Sequence, residues 1–132
     1  MTQPQLNFII VDDDESSLLI CKMVVKKYLN PNSIDTFPSA KDALSFIKSV
    51  YDENPKEFAT ILFLDVNMPV VSGWDFLKEF EKFKNEIKSQ IKIYMLTSSI
   101  DNNDIALSKK TGLVSGYLVK PLSKEKILDV FG

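Results

Sequence analysis

Short apolar runs and longer amphipathic stretches alternate along the whole chain. The runs at 6–11, 33–36, 60–64, 91–96 and 116–119 are built largely of Ile, Val, Leu and Phe, the one at 33–36 being the weakest. They lack the one-in-two polar alternation of a half-exposed strand, which predicts strands of a parallel sheet covered on both faces. Between them the apolar positions change to helical spacing. The stretch 15–29 carries Leu18, Cys21, Val25 and Tyr28 on one face. The stretch 39–51 opens with Ser39 three residues before Asp42, a capping-box pattern, and then repeats Ala40, Ala43, Leu44, Ile47, Val50 and Tyr51. A third helix is expected over about 73–83, with Phe76, Leu77, Phe80 and Phe83 on one side. A fourth, at 101–112, starts after Asp101, holds Ile105 and stops at Gly112 as a left-handed C′ residue. The fifth begins after Ser123 and is short, with Ile127, Leu128 and Phe131 as its apolar face. The stretch 52–59, which contains Pro55, reads as a surface connection and not as a linker between domains.

Strand then helix, repeated five times, implies an α/β fold with a parallel sheet and helices on both faces. Ligands of such open sheets bind beyond the carboxyl ends of the strands, where the strand order reverses. Residues that directly follow strands are therefore the ones to inspect.

Composition narrows the chemistry. The 132 residues suit a single domain, and 45% hydrophobic residues are enough for a core without staples. With 16 basic and 18 acidic side chains there is no electrostatic footprint for nucleic acid. Histidine is absent, which excludes His-based acid–base catalysis, Ser-His and Cys-His nucleophiles and His-ligated zinc. The single cysteine, Cys21, forms no internal disulfide, which suits a reducing compartment, and its place on an apolar helix face reads as core. The first residues lack a basic export region, and the apolar runs are far too short to span a bilayer. A soluble, cytoplasmic protein with no membrane partner is expected.

Asp12, Asp13 and Asp14 follow the first strand. An aspartate before a helix is ordinarily an N-cap, but one cap needs one carboxylate, and three adjacent ones repel each other. A hard cation relieves that repulsion, so this is a candidate Mg²⁺ site. Asp65 closes the third strand, with Asn67 and Pro69 behind it as turn formers. If the chain reverses direction after the second strand, strands one and three are neighbours, and Asp12, Asp13 and Asp65 meet at one sheet end. Thr97 closes the fourth strand and Lys120 the fifth. Taken singly, these are a turn hydroxyl and a solvated ammonium. Together the four strand ends supply carboxylates, a hydroxyl and an ammonium, the groups needed to move a phosphoryl group onto oxygen.

The combination Val11-Asp12-Asp13, Leu64-Asp65-Val66-Asn67-Met68-Pro69 with Gly73, Thr97-Ser98, and Tyr117-Leu118-Val119-Lys120-Pro121 resembles the receiver domains of two-component response regulators. It is most similar to the stand-alone, chemotaxis-regulator-like type, and the likeness runs from Leu6 to about Phe131. The resemblance implies a flavodoxin-like, doubly wound five-stranded sheet of order 2-1-3-4-5 with five helices, as a single domain over 1–132. It implies that Asp65 is the phosphoacceptor. Mg²⁺ would be held by Asp13 and Asp65, with Asp12 assisting through water and Asn67 through its backbone carbonyl. Lys120 would pair with the acceptor and then the phosphoryl group. Thr97 would move inward to bond the phosphoryl oxygen as Tyr117, at the aromatic switch position, turns with it. A cis Lys120–Pro121 bond is also implied, with Ser98 as the small residue beside the phosphate and Asn67 and Ser99 tuning dephosphorylation. Ser72 stands where the family often has Asp or Asn, which a capping role tolerates; Met68 and Trp74 read as packing residues. The partners implied are a sensor histidine kinase or a histidine phosphotransfer protein, and an unidentified downstream protein. The domain is expected to catalyse only its own phosphorylation and dephosphorylation, its output being protein–protein binding or phosphorelay.

Three other readings of the residues stay open here. An Asp-nucleophile phosphatase commonly has a second acid two residues after the nucleophile, where this chain has Asn67. A flavodoxin-like cofactor binder needs a Gly-rich phosphate loop after the first strand, where this chain has Asp12-Asp13-Asp14-Glu15. A receiver that only binds partners would not need the full residue set.

Overall fold

Each apolar run becomes a strand of one sheet. In the computed structural model, which describes residues 6–53, 60–66, 68, 72–98, 106, 109–110 and 112–131, these are β1 (Asn7–Val11), β2 (Ser33–Phe37), β3 (Thr60–Asp65), β4 (Ile91–Thr97) and β5 (Val114–Val119). All neighbours pair in parallel, in the order β2-β1-β3-β4-β5. The chain is thus the flavodoxin-like, doubly wound sheet anticipated from its motifs. β1 and β3 are buried at every position, while β2, at one edge, has none fully buried.

Side-chain alternation divides the core into two layers. Ile9, Val11, Leu62, Leu64, Ile93 and Met95 face one way and meet α2 (Ala40–Glu53) and α3 (Gly73–Glu81) through Ala43, Ile47, Phe76 and Phe80. Phe8, Ile10, Ile61, Phe63 and Leu96 face the other way. They pack on Cys21 and Val25 of α1 (Glu15–Leu29) and on Ile127 of the last helix, Lys124–Phe131. Phe63, Phe8 and Phe76 are 0% exposed, and each such side chain contributes roughly 2 kcal/mol relative to a solvated one. Phe131 seals the second layer, its ring edge-on to Phe8, Phe63 and Tyr94 at 6.4, 5.9 and 5.1 Å.

The helices follow the expected faces with three differences. A four-residue helix, Asn85–Lys88, follows α3 and buries Ile87; we label it α4 and the last helix α5. It is too short to produce a readable period. α3 itself stops at Glu81, with Lys82 as its C-cap, although Phe83 still packs on the core as anticipated. In α5, Ile127 and Phe131 point inward, one turn apart, whereas Leu128 is 38% exposed. Consecutive helix residues lie about 100° apart, so Leu128 cannot share that face.

The expected helix at 101–112 falls mostly outside the described residues, among them Asp101 and Ile105; Ala106, Lys109 and Lys110 are helical. Gly112 has φ of 68°, the left-handed conformation anticipated for it. Of the surface connection at 52–59, residues 52 and 53 belong to α2 and the rest lies outside the described residues. No helix among the described residues is long and apolar enough to cross a membrane.

Candidate functional site

The sheet register brings the strand ends together. Val11 pairs with Leu64, so the next residue of each strand, Asp12 and Asp65, are neighbours. Asp65 pairs with Leu96, and Thr97 with Val119, which aligns Thr97 and Lys120 beside them. Main-chain bonds hold the edge: Asp12 N donates to Phe37 O (3.1 Å), Val66 N to Leu96 O (3.0 Å) and Lys120 N to Thr97 O (2.8 Å). The order of strands is what makes this a site. Placing β1 between β2 and β3 leaves adjacent connections running to opposite faces, which opens a crevice at that end.

Three carboxylates converge there. Asp12, Asp13 and Asp65 each offer an oxygen, and these oxygens lie within 4.8 Å of one another. Asp12 is 0% and Asp65 4% exposed, whereas Asp13 is exposed and faces solvent. Asp14 separates from the group: it is the N-cap of α1, its side chain accepting from Ser16 N at 3.0 Å. One aspartate of the run thus caps the helix, as the simplest reading of the sequence requires, and two are left for other work.

Lys120 answers the negative charge. Its Nζ lies 2.7 Å from Asp12 Oδ2 and 3.4 Å from Asp65 Oδ1. Burial by itself lowers the pKa of this ammonium, but the hydrogen bond and charge of Asp12, with those of Asp65, outweigh it and the net shift is upward. The lysine therefore stays cationic while it bridges two carboxylates. Asp12 Oδ1 also accepts from Asp14 N at 3.0 Å, so both of its oxygens are engaged. The arrangement is one cation among three hard anionic groups, and the oxygen-only donor set suits Mg²⁺.

Thr97 is 2% exposed at the end of β4. Tyr117 lies opposite Met95, one pleat before the Thr97–Val119 pair, and packs half-buried against the α2–α3 layer. Ser98 is exposed beside Thr97. Asn67 and Ser99 lie outside the described residues, and with them the expected backbone carbonyl ligand. The Lys120–Pro121 peptide bond is cis. Met68 is buried and Trp74 packs on the core, both as anticipated.

Two features of the site emerge only in the structure. The clearance at Gly73, a residue the motif already includes, is one: a β-carbon there would stand 2.7 Å from the carbonyl oxygen of Asp65 and 3.0 Å from Val66 Cα. The second is a pocket of about 240 Å³ lined by Ser17, Ile20, Cys21, Pro121, Leu122 and Lys120, the lysine that bridges Asp12 and Asp65. Cys21 is 3% exposed, and its thiol pKa is pushed up to about 11, chiefly by burial and then by the charge of Asp12. It is an inert core thiol at neutral pH.

A family model described as the response regulator receiver domain matches residues 8–131. The chain belongs to this family. Its curated relatives include the response regulator SaeR of Staphylococcus aureus, 28% identical over 122 residues, covering 92% of this chain. A two-component response regulator of Arabidopsis thaliana is 29% identical over 126 residues. This chain spans 47% and 28%, respectively, of the length of those two relatives. Among solved structures, a response regulator receiver protein from Dyadobacter fermentans is 27% identical with a TM-score of 0.81, covering 95% of this chain and 94% of its own. The chemotaxis protein CheY4 of Vibrio cholerae, 24% identical with a TM-score of 0.77 and 96% of each chain covered, shares the fold. The chain is a receiver domain of two-component response regulators, a family of phosphoacceptor signalling domains. Receiver domains bind Mg²⁺ at an acidic pocket, and the carboxylate cluster of this one has the donors for it.

Proposed function

We propose that Asp65 is the residue that accepts the phosphoryl group, delivered by a histidine kinase or histidine phosphotransfer protein in the cytoplasm. The receiver domain has no histidine of its own, so the phosphohistidine is supplied from outside this domain. The observation that carries this reading is the ion-paired cluster itself. A lysine bridges Asp12 and Asp65 at 2.7 and 3.4 Å where three carboxylates converge at the sheet end.

Asp65 attacks through a carboxylate oxygen: the new P–O bond forms as the donor's P–N bond breaks, and the imidazole leaves with its electron pair and takes up a proton. Lys120 moves its charge from the carboxylate to the incoming phosphoryl oxygens, which carry the negative charge in the transition state. Asp13 and Asp65 would hold Mg²⁺, with Asp12 assisting through water and Asn67 through its backbone carbonyl. The ion supplies charge neutralisation at the phosphoryl oxygens. Thr97 donates its hydroxyl to a phosphoryl oxygen on moving inward, and Tyr117 turns into the space it leaves. The added charge and acceptor oxygens thereby reach a distant surface through a packed two-state element. The receiver domain catalyses its own phosphorylation and hydrolysis, and its output is binding to another protein or onward phosphotransfer.

Acetyl phosphate with Mg²⁺ is expected to add one phosphoryl mass to the wild-type chain and none to Asp65→Asn, read by intact mass spectrometry. An addition that survives Asp65→Asn moves the acceptor elsewhere.

A further inference from the structure

Lys126 lies in the first turn of α5, where a positive charge opposes the helix dipole and has no local reason to be. Its surroundings supply one. The Lys126 ammonium donates to Val119 O at 2.7 Å and to Pro121 O at 2.9 Å. Those two carbonyls flank Lys120, the residue that reaches Asp12 and Asp65. On the strand side, Lys120 N donates to Thr97 O at 2.8 Å. On the loop side, it is the Lys126 ammonium that clamps the turn.

Lys126 is itself well anchored. Its backbone N–H donates to Ser123 Oγ at 3.3 Å, and the adjacent Ile127 is 0% exposed, so the stem rises from a fixed helix turn. The hydrogen bonds it makes are charge-assisted, roughly twice as strong as neutral ones. From this geometry we propose that Lys126 is a positioning residue for phosphoryl transfer, acting through Lys120. By tying together the carbonyls on either side of Lys120, it fixes the direction in which that side chain enters the acidic cluster. The proposal rests on the reading of Asp65 and Lys120 given above, and its effect is indirect: Lys126 touches neither acceptor nor phosphoryl group.

A double-mutant cycle with a spectroscopic arm tests this. Lys126→Met keeps the stem and removes the donors. At saturating acetyl phosphate and Mg²⁺ its maximal phosphorylation rate is expected to fall about tenfold, less than the roughly hundredfold that a 1 Å misplacement costs, because Lys120 keeps its ion pairs in part. Its Mg²⁺ affinity is expected to stay at the wild-type value. In a Lys120→Met background, Lys126→Met is expected to change nothing further. By NMR on lysine-labelled protein, the Lys120 side-chain resonance, set by its ion pairs, is expected to move toward those of solvated lysines in Lys126→Met. An equal rate loss in both backgrounds, an unchanged rate, or an unmoved Lys120 resonance overturns the proposal. Should Lys126→Met fail to fold, Lys126→Gln enters the same cycle under the same criteria. If the wild-type chain accepts no phosphoryl group, the phosphoacceptor reading fails, and the NMR arm still decides whether Lys126 fixes the Lys120 side chain.

Discussion

Gly73 shows how tightly the acceptor's backbone is enclosed. Its amide donates to Val66 O at 3.0 Å, which brings the start of α3 against the end of β3. A β-carbon at this point would meet Asp65 O at 2.7 Å, and that neighbour is main chain, which cannot rotate away as a side chain would. Gly73→Ala must therefore push the segment that carries Asp65. The expected cost is about 1–3 kcal/mol, the usual range for overpacking, with slower phosphoryl uptake from acetyl phosphate. Urea unfolding and a phosphorylation time course on one preparation check both halves of that expectation. Lys120 illustrates the opposite limit of residue-scale reasoning. Taken singly, its position offers only a charged residue after a strand, and its pairing with Asp65 is implied by the family resemblance alone; the bridge between Asp12 and Asp65 depends on three strands at once.

At the scale of elements, α3 is the helix whose start carries Gly73, and its entry is fixed by a reciprocal cap. Ser72 Oγ accepts from Asp75 N at 3.2 Å, and Asp75 Oδ2 accepts from Ser72 N at 3.1 Å. The backbone bond from Ser72, followed by the side-chain bond, holds the Asp75 carboxyl below its ordinary value of 3.8. A depressed carboxylate pKa means that this contribution is present at neutral pH and is lost as acid protonates Asp75 below that value. Ser72→Ala is expected to cost about 1 kcal/mol, read as a shift in the urea midpoint at unchanged slope. Serine thus does the capping work at a position where the family often has Asp or Asn, as the sequence reading allowed. The helix α4 shows where element-scale legibility ends. Its four residues bury Ile87, yet no periodicity can emerge over a single turn.

For the whole molecule, the arrangement of charge predicts a metal effect on stability. Three carboxylates whose oxygens lie within 4.8 Å repel each other, and Lys120 offsets part of that repulsion. A divalent cation bound to the folded state alone adds stability by mass action, about 2.7 kcal/mol at a concentration one hundred times its Kd. Mg²⁺ is therefore expected to raise the melting temperature relative to EDTA. The rise should vanish in Asp13→Ala, whose exposed side chain is not part of the core. Calorimetry with and without Mg²⁺ reads this directly, and an equal rise in Asp13→Ala removes that residue from the ligand set.

The pattern of side chains alone determined the strands, the faces of α1, α2 and α3, the left-handed Gly112, and which residues stand at the strand ends. Periodicity of two and of 3.6 is a local property, written wherever one face of an element is apolar. That Asp12, Asp13 and Asp65 share a site was legible only because several weak signals agreed at successive strand ends. What the tertiary structure decided is everything that depends on distance between segments far apart in the chain: the 2.7 Å pairing of Lys120 with Asp12, the clearance at Gly73 and the reach of Lys126 to Val119 and Pro121. Neither a lysine in a first helical turn nor a glycine after a loop carries a sequence signal of what it touches. Those contacts exist because sheet register and helix packing fix neighbours to within an ångström, and no one-dimensional pattern encodes that precision.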